Sequence, residues 1–107
     1  MTAPALIHLP KRAKRGAVIE IRTMISHPME TGYRRSSTGE ALPRDIITAF
    51  ACRYNGVEIF RADFHPAMTA NPFLVFHTVA VESGTLVFTW SGDNGFSAEE
   101  RVKIEVE

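Results

Sequence analysis

Between Ala17 and Ser26 apolar and polar positions alternate: Ile19, Ile21, Thr23 and Ile25 share one face, and Glu20, Arg22 and Met24 the other. A period of two with β-branched residues predicts a half-buried strand, and Pro28, which has no N–H to give a ladder, ends it. The same reading places a short strand at Leu6–Leu9, stopped by Pro10, and a strand from Ile46 to Tyr54 with Ile46, Thr48, Phe50, Cys52 and Tyr54 on one side. Asn55-Gly56 supplies two positions that tolerate positive φ, the requirement of a type I′ hairpin turn, so Val57 to Phe64 returns antiparallel. Phe73–Val81 follows, with Phe73, Val75, His77, Val79 and Val81 against Leu74, Phe76, Thr78 and Ala80. Glu82-Ser83-Gly84 turns the chain into Thr85–Ser91, where Leu86, Phe88 and Trp90 share a face. Gly92-Asp93-Asn94-Gly95 turns it again into Ala98–Val106, with Val102, Ile104 and Val106 inward. No stretch has helical periodicity. Six or seven strands about ten residues apart predict one all-β domain over residues 1–107, an immunoglobulin-like antiparallel β-sandwich of about seven strands.

Met29 to Arg44 breaks this pattern. Sixteen residues without apolar periodicity are long for a plain connection, and such loops tend to carry function. Arg34, Arg35 and Glu40 make it polar, suited to a flap or a partner-facing arm. It opens with Ser26-His27-Pro28-Met29, and a second strand end, Phe64-His65-Pro66-Ala67-Met68, has the same His-Pro and methionine. Both loops are expected to expose their side chains. The methionines and aromatics there offer deformable apolar contact area, which supports an interaction surface.

Composition narrows the function classes. The chain has 45% hydrophobic and 22% charged residues, ordinary for a soluble globular domain, and no run of about 18 apolar residues for a membrane span. Net charge is zero, but the first fifty residues hold eight Lys/Arg against four Asp/Glu and the rest the reverse. The one dense basic run, Lys11 to Arg15, is short and free of aromatics, so it reads as a solvated turn rather than a nucleic-acid surface. Met1 to Pro10 has no basic region, apolar core or cleavage site of an export signal.

Little catalytic chemistry is visible. The one cysteine, Cys52, excludes a disulfide framework and a CxxC pair. Set between Phe50 and Tyr54, it reads as an inert core thiol, with an interface thiol as the alternative. Glu99 and Glu100 are adjacent and point to opposite faces of a strand, unfit as an acid/base couple. His27/Met29 and His65/Met68 have donors that suit Cu(I), yet their placement is not a ligand spacing. Superoxide reductases hold iron with four histidines and a cysteine on a similar sandwich. There a ligand histidine follows the cysteine closely, whereas Arg53-Tyr54-Asn55 follow Cys52.

Four strings carry a resemblance: Ser26-His27-Pro28-Met29-Glu30-Thr31-Gly32, Pro43-Arg44-Asp45-Ile46-Ile47, His65-Pro66-Ala67 through Ala70-Asn71-Pro72, and Glu82 through Trp90. In this order and over most of the chain they resemble the SoxZ family, one half of the SoxYZ carrier complex of bacterial thiosulfate oxidation. No cofactor and no bound metal are expected from these residues; the resemblance implies a sandwich of the same kind and SoxY as partner in a heterodimer or higher assembly. In that family SoxY carries the sulfur intermediate covalently on a cysteine in a glycine-rich C-terminal tail, and other enzymes process it there. This sequence has no such segment and looks like the non-catalytic, non-carrying subunit. The resemblance also implies a periplasmic location, reached by export together with SoxY. The expected partner contacts are His27, Met29, Tyr33, His65 and Phe73. A metal-binding redox protein and a sandwich adaptor of another assembly stay open as alternatives.

Overall fold

The computed structural model describes residues 5–66 and 68–107; residues 1–4 and Ala67 of the second His-Pro loop lie outside the described residues. Eight strands are present among the described residues: β1 (Ala5–His8), β2 (Arg12–Ala13), β3 (Val18–Ile25), β4 (Ile47–Tyr54), β5 (Val57–Asp63), β6 (Phe73–Val79), β7 (Gly84–Gly92) and β8 (Ser97–Val106). A single 3₁₀ turn, Asp93–Gly95, joins the last two. The fold is the expected all-β, immunoglobulin-like sandwich. One sheet runs β1-β3-β6 and the other β2-β8-β7-β4-β5. All pairings are antiparallel except that of the two-residue β2 with β8, which is parallel.

Alternation decides which faces meet. Ile19, Ile21, Thr23 and Ile25 of β3 are buried, and so are Leu86, Phe88 and Trp90 of β7, facing them from the other sheet. Phe50 is the hub of the core: its ring lies 5.1 Å from that of Trp90 and 5.9 Å from that of Phe76. The β4–β5 hairpin turns at Asn55 (φ 49°) and Gly56 (φ 83°), as the Asn-Gly pair demands.

Two strands depart from simple alternation. β4 starts one residue later than expected, and its register with β7 shifts between Ile47 and Ala49. This irregularity lets Ile46 and Ile47, neighbours in sequence, both be buried, while Thr48 is only half-buried. It also brings the backbone of Ile46 against Gly92: a Cβ there would sit 2.4 Å from the Ile46 carbonyl oxygen, so the position admits only glycine. β8 is more open than expected, with Ala98 and Ile104 buried but Val102 and Val106 only partly so.

Candidate partner-binding surface

The Ser26–Tyr33 loop starts as β3 ends, and its own side chains fix its course. The His27 N–H donates to Asn71 Oδ1 at 2.9 Å, and the Asn71 N–H returns a bond to the His27 carbonyl at 2.8 Å. The Met29 N–H donates to His27 Nδ1 at 3.0 Å, which leaves the imidazole proton on Nε2, 3.8 Å from Asp45 Oδ1. The Phe96 ring meets the imidazole edge-on at 4.8 Å. Met29 adopts φ 50°, and its sulfur accepts the Ile47 N–H at 3.3 Å.

This geometry corrects the expectation that His27 and Met29 are exposed contacts. They are 5% and 4% exposed, buried because the first closes the backbone turn and the second fills the core under β4. Of the donor atoms that suggested copper, His27 Nδ1 is taken by the Met29 N–H and the Met29 thioether by that of Ile47.

Beyond this turn the chain forms a narrow arm. Glu30 and Asp45 exchange both backbone bonds at 2.8 Å, the Arg34 carbonyl accepts from the Leu42 N–H at 2.9 Å, and Arg35 bridges Ala41. Arg34 Nε reaches both Glu30 carboxylate oxygens at 3.1 Å, holding that carboxyl below its usual range and the guanidinium above its own. At the base, Arg44 grips Asp93 through two bonds of 2.8 and 2.9 Å. Asp93 Oδ2 also takes the Ile46 N–H at 3.2 Å, and its carboxyl is lowered, first by Arg44 and then by that backbone bond. Asn94 donates to Asp45 Oδ1 at 3.2 Å, completing the clasp.

Tyr33, 82% exposed, lies on the arm and lines one open cleft with His65, Pro66 and Met68 of the second His-Pro loop. The structure therefore brings Tyr33 and His65 together. Phe73 sits elsewhere, on the outer face of the three-stranded sheet. The pairings lay that face out in rows: Leu6, Met24 and Phe73; then His8, Arg22 and Val75; then Glu20 and His77; then Val18 and Val79. Leu6, Val18, Met24, Phe73, Val75 and Val79 are all exposed there. The sequence reading named only Phe73 of these. The available signal was β6 itself, which is apolar at both parities and so has a second face to cover.

Cys52 is fully buried between Phe60 of β5 and Phe88 of β7. That burial supports the core reading over an interface thiol, and it pushes the thiol up to about 12. His77 is exposed on β6, its Nε2 3.6 Å from Glu20 Oε2. Among the described residues, no three His, Cys, Asp or Glu side chains gather into a metal-binding set.

Among solved structures, the chain is similar to the superoxide reductase (neelaredoxin) from Ignicoccus hospitalis, with TM-score 0.71 and 19% identity over 96% of this chain and 80% of that one. It is similar also to the sulfur carrier protein SoxY from Chlorobium limicola f thiosulfatophilum, with TM-score 0.67 and 16% identity over 96% and 78%. A putative superoxide reductase from Thermotoga maritima aligns with TM-score 0.66 and 16% identity over 96% and 85%. At such identities the likeness is one of fold. No curated protein matches the chain. The family model of the sulphur oxidation protein SoxZ matches residues 7–103, nearly the whole of the 107-residue sequence, and the chain belongs to the SoxZ family.

Proposed function

We propose that this protein is the non-catalytic, non-carrying subunit of a sulfur-carrier complex, and that it holds a SoxY chain whose cysteine bears the covalent intermediate of thiosulfate oxidation. The observation that carries the reading is the state of its one thiol. A carrier thiol has to reach solvent and several enzymes in turn, and it reacts as a thiolate. Cys52 is sealed in the core with its ionisation pushed up to about 12, which supports a role in which the sulfur rides on another chain. The exposed apolar residues of β6 and the Tyr33/His65 cleft supply contact area for that chain. Phe73 on the first and Tyr33 and His65 on the second remain the proposed contacts.

The test is reconstitution with the SoxY of the same organism. Size exclusion at micromolar concentration is expected to give a stable one-to-one complex, and two proteins eluting separately would overturn the assignment. After incubation with thiosulfate and the processing enzymes, intact mass should place the sulfur adduct on SoxY and leave this chain's mass unchanged. The periplasm is the proposed location, reached folded and bound to an exported SoxY. In a strain lacking SoxY this chain should then stay in the cytoplasmic fraction.

A further inference from the structure

In the order β1-β3-β6, strand β6 has a neighbour on one side only among the described residues. Its register with β3 is unbroken, from Val18 opposite Val79 to Met24 opposite Phe73. Just past its two ends, the Ala80 N–H donates to the Ala17 carbonyl at 2.8 Å and the Pro72 carbonyl accepts from the Ile25 N–H at 3.3 Å. Successive residues of an antiparallel strand turn their backbone groups to opposite sides. The even-numbered residues from Pro72 to Ala80 therefore face β3, and Phe73, Val75, His77 and Val79 turn their N–H and C=O groups outward. Among the described residues no backbone group pairs with that row.

An open sheet edge is a template for another strand, and proteins guard such edges with brevity, proline, charge or bulges. The other edges here are guarded. β1 has four residues with Pro10 close behind, β2 has two, and β5 bears Glu58, Arg61 and Asp63 with a register shift in its pairing. β6 has none of these: seven residues, Phe-Leu-Val-Phe-His-Thr-Val, with no formal charge, proline or bulge. Apolar side chains flank the open row as well. Phe73, Val75 and Val79 are exposed on the outer face, and Val57, Ile59 and Val81 line a groove that runs from β5 to β6 between the two sheets.

We infer that β6 is the docking strand, on which an extended strand of the SoxY partner pairs edge to edge and continues the three-stranded sheet across the interface; the identity of that partner rests on the proposed function. The occupant is a strand because only extended backbone matches N–H and C=O groups presented at a two-residue repeat. Its facing side chains are apolar, since a charge there would lose its water against Phe73 and the valines without gaining a partner. A SoxY of known structure is similar to this chain in fold, and its strand corresponding to β6 is the inferred occupant. Two like edges meeting about a pseudo-twofold axis close one another and leave no template for a third chain. The union stops at a pair.

Amide hydrogen exchange on the unmodified chain, free and in its SoxY complex, tests this. The N–H groups of Val75, His77 and Val79 should exchange quickly in the free chain and slow by about 100-fold or more in the complex, while Leu74, Phe76 and Thr78 stay protected in both. Outward amides that exchange equally fast in a formed complex would overturn the inference and leave the proposed function standing. Two variants give a second readout. Val75→Pro removes an outward donor without touching the β3 ladder, and it should weaken the complex by about tenfold or more. Leu6→Lys, on the same outer face but on the far strand, should change affinity by less than about threefold. The reverse pattern would put the partner on the face rather than the edge. If the unmodified chain forms no complex at all, the proposed function falls together with this inference.

Discussion

His27 does its work inside the protein. Its Nδ1 is the acceptor for the Met29 N–H, and its backbone exchanges two bonds with Asn71, 44 positions along the chain. His27→Ala would leave the Met29 N–H buried without a partner, at a cost of about 1–3 kcal/mol. Urea unfolding should show that loss, and a midpoint equal to that of the unmodified chain would refute the role. The sequence did not reveal this burial, because the groups that enclose the turn (Asn71, Ile47 and Phe96) come from distant parts of the chain. A His-Pro-Met string looks the same whether it faces water or core. Cys52 was legible, since a small residue two positions from Phe50 and from Tyr54 on an alternating strand has an apolar environment written on both sides. Its chemistry follows from that environment. At pH 8 the native thiol is protonated and enclosed, so an aromatic disulfide reagent should react only at the rate of unfolding, and at once in urea. Rapid labelling of the native chain would contradict it. In the unfolded chain the thiol ionises at its ordinary 9.0, so stability should decline as pH rises from there towards 12.

The strands were readable wherever one face is wet. β3, β7 and the Asn55-Gly56 hairpin follow directly from alternation and turn chemistry, because burying one face of a sheet forces a period of two. Strand order was not readable: β6 pairs with β3 rather than with its sequence neighbour β5, and nothing in a single sequence encodes which edge a crossing strand joins. The β3–β4 arm was legible as irregular but not as paired, since its pairing consists of isolated bridges, Glu30 to Asp45 and Arg35 to Ala41, and neither demands apolar residues. What anchors it is the Asp93 clasp on Arg44 and the Ile46 N–H. The Asp93 carboxyl lies below its ordinary 3.8 in the folded state, so its stabilisation is present above that pH and is lost as pH falls through the lowered value. Asp93→Asn should therefore be destabilised relative to the unmodified chain at pH 7, and the gap should narrow steadily below pH 3.8. A gap that stays constant down to about pH 2 would mean that the carboxylate charge plays no part in the clasp.

At the scale of the whole molecule, the described chain is long for its size. Its radius of gyration is 16.2 Å, against about 13 Å for a compact domain of 100 residues. Its longest dimension is 59 Å, whereas a strand of ten residues, the longest here, spans about 33 Å. The arm adds nothing to the core. None of the residues from Tyr33 to Arg44 is buried, and the 18 residues of the buried cluster lie outside that span. The fold thus separates what holds it together from what it offers to other molecules. Leu42 and Arg34 already form a backbone pair, the Leu42 N–H bonded to the Arg34 carbonyl at 2.9 Å. Replacing Arg35–Ala41 with Asn-Gly would close the arm there as a two-residue hairpin, keeping the Glu30–Asp45 pair and the Asp93 clasp intact. Shortening the connection recovers a few tenths of a kcal/mol in loop-closure entropy and sacrifices only bonds already open to water. The shortened protein should unfold in urea within about 1 kcal/mol of the original and show a smaller radius of gyration by X-ray scattering. Because β6 is on the other sheet from β4, where the arm re-enters the sandwich, the complex with SoxY should survive the change. A large loss of stability would show that the arm belongs to the folded core, and an intact protein that no longer binds SoxY would move the partner from the β6 edge to the Tyr33/His65 cleft.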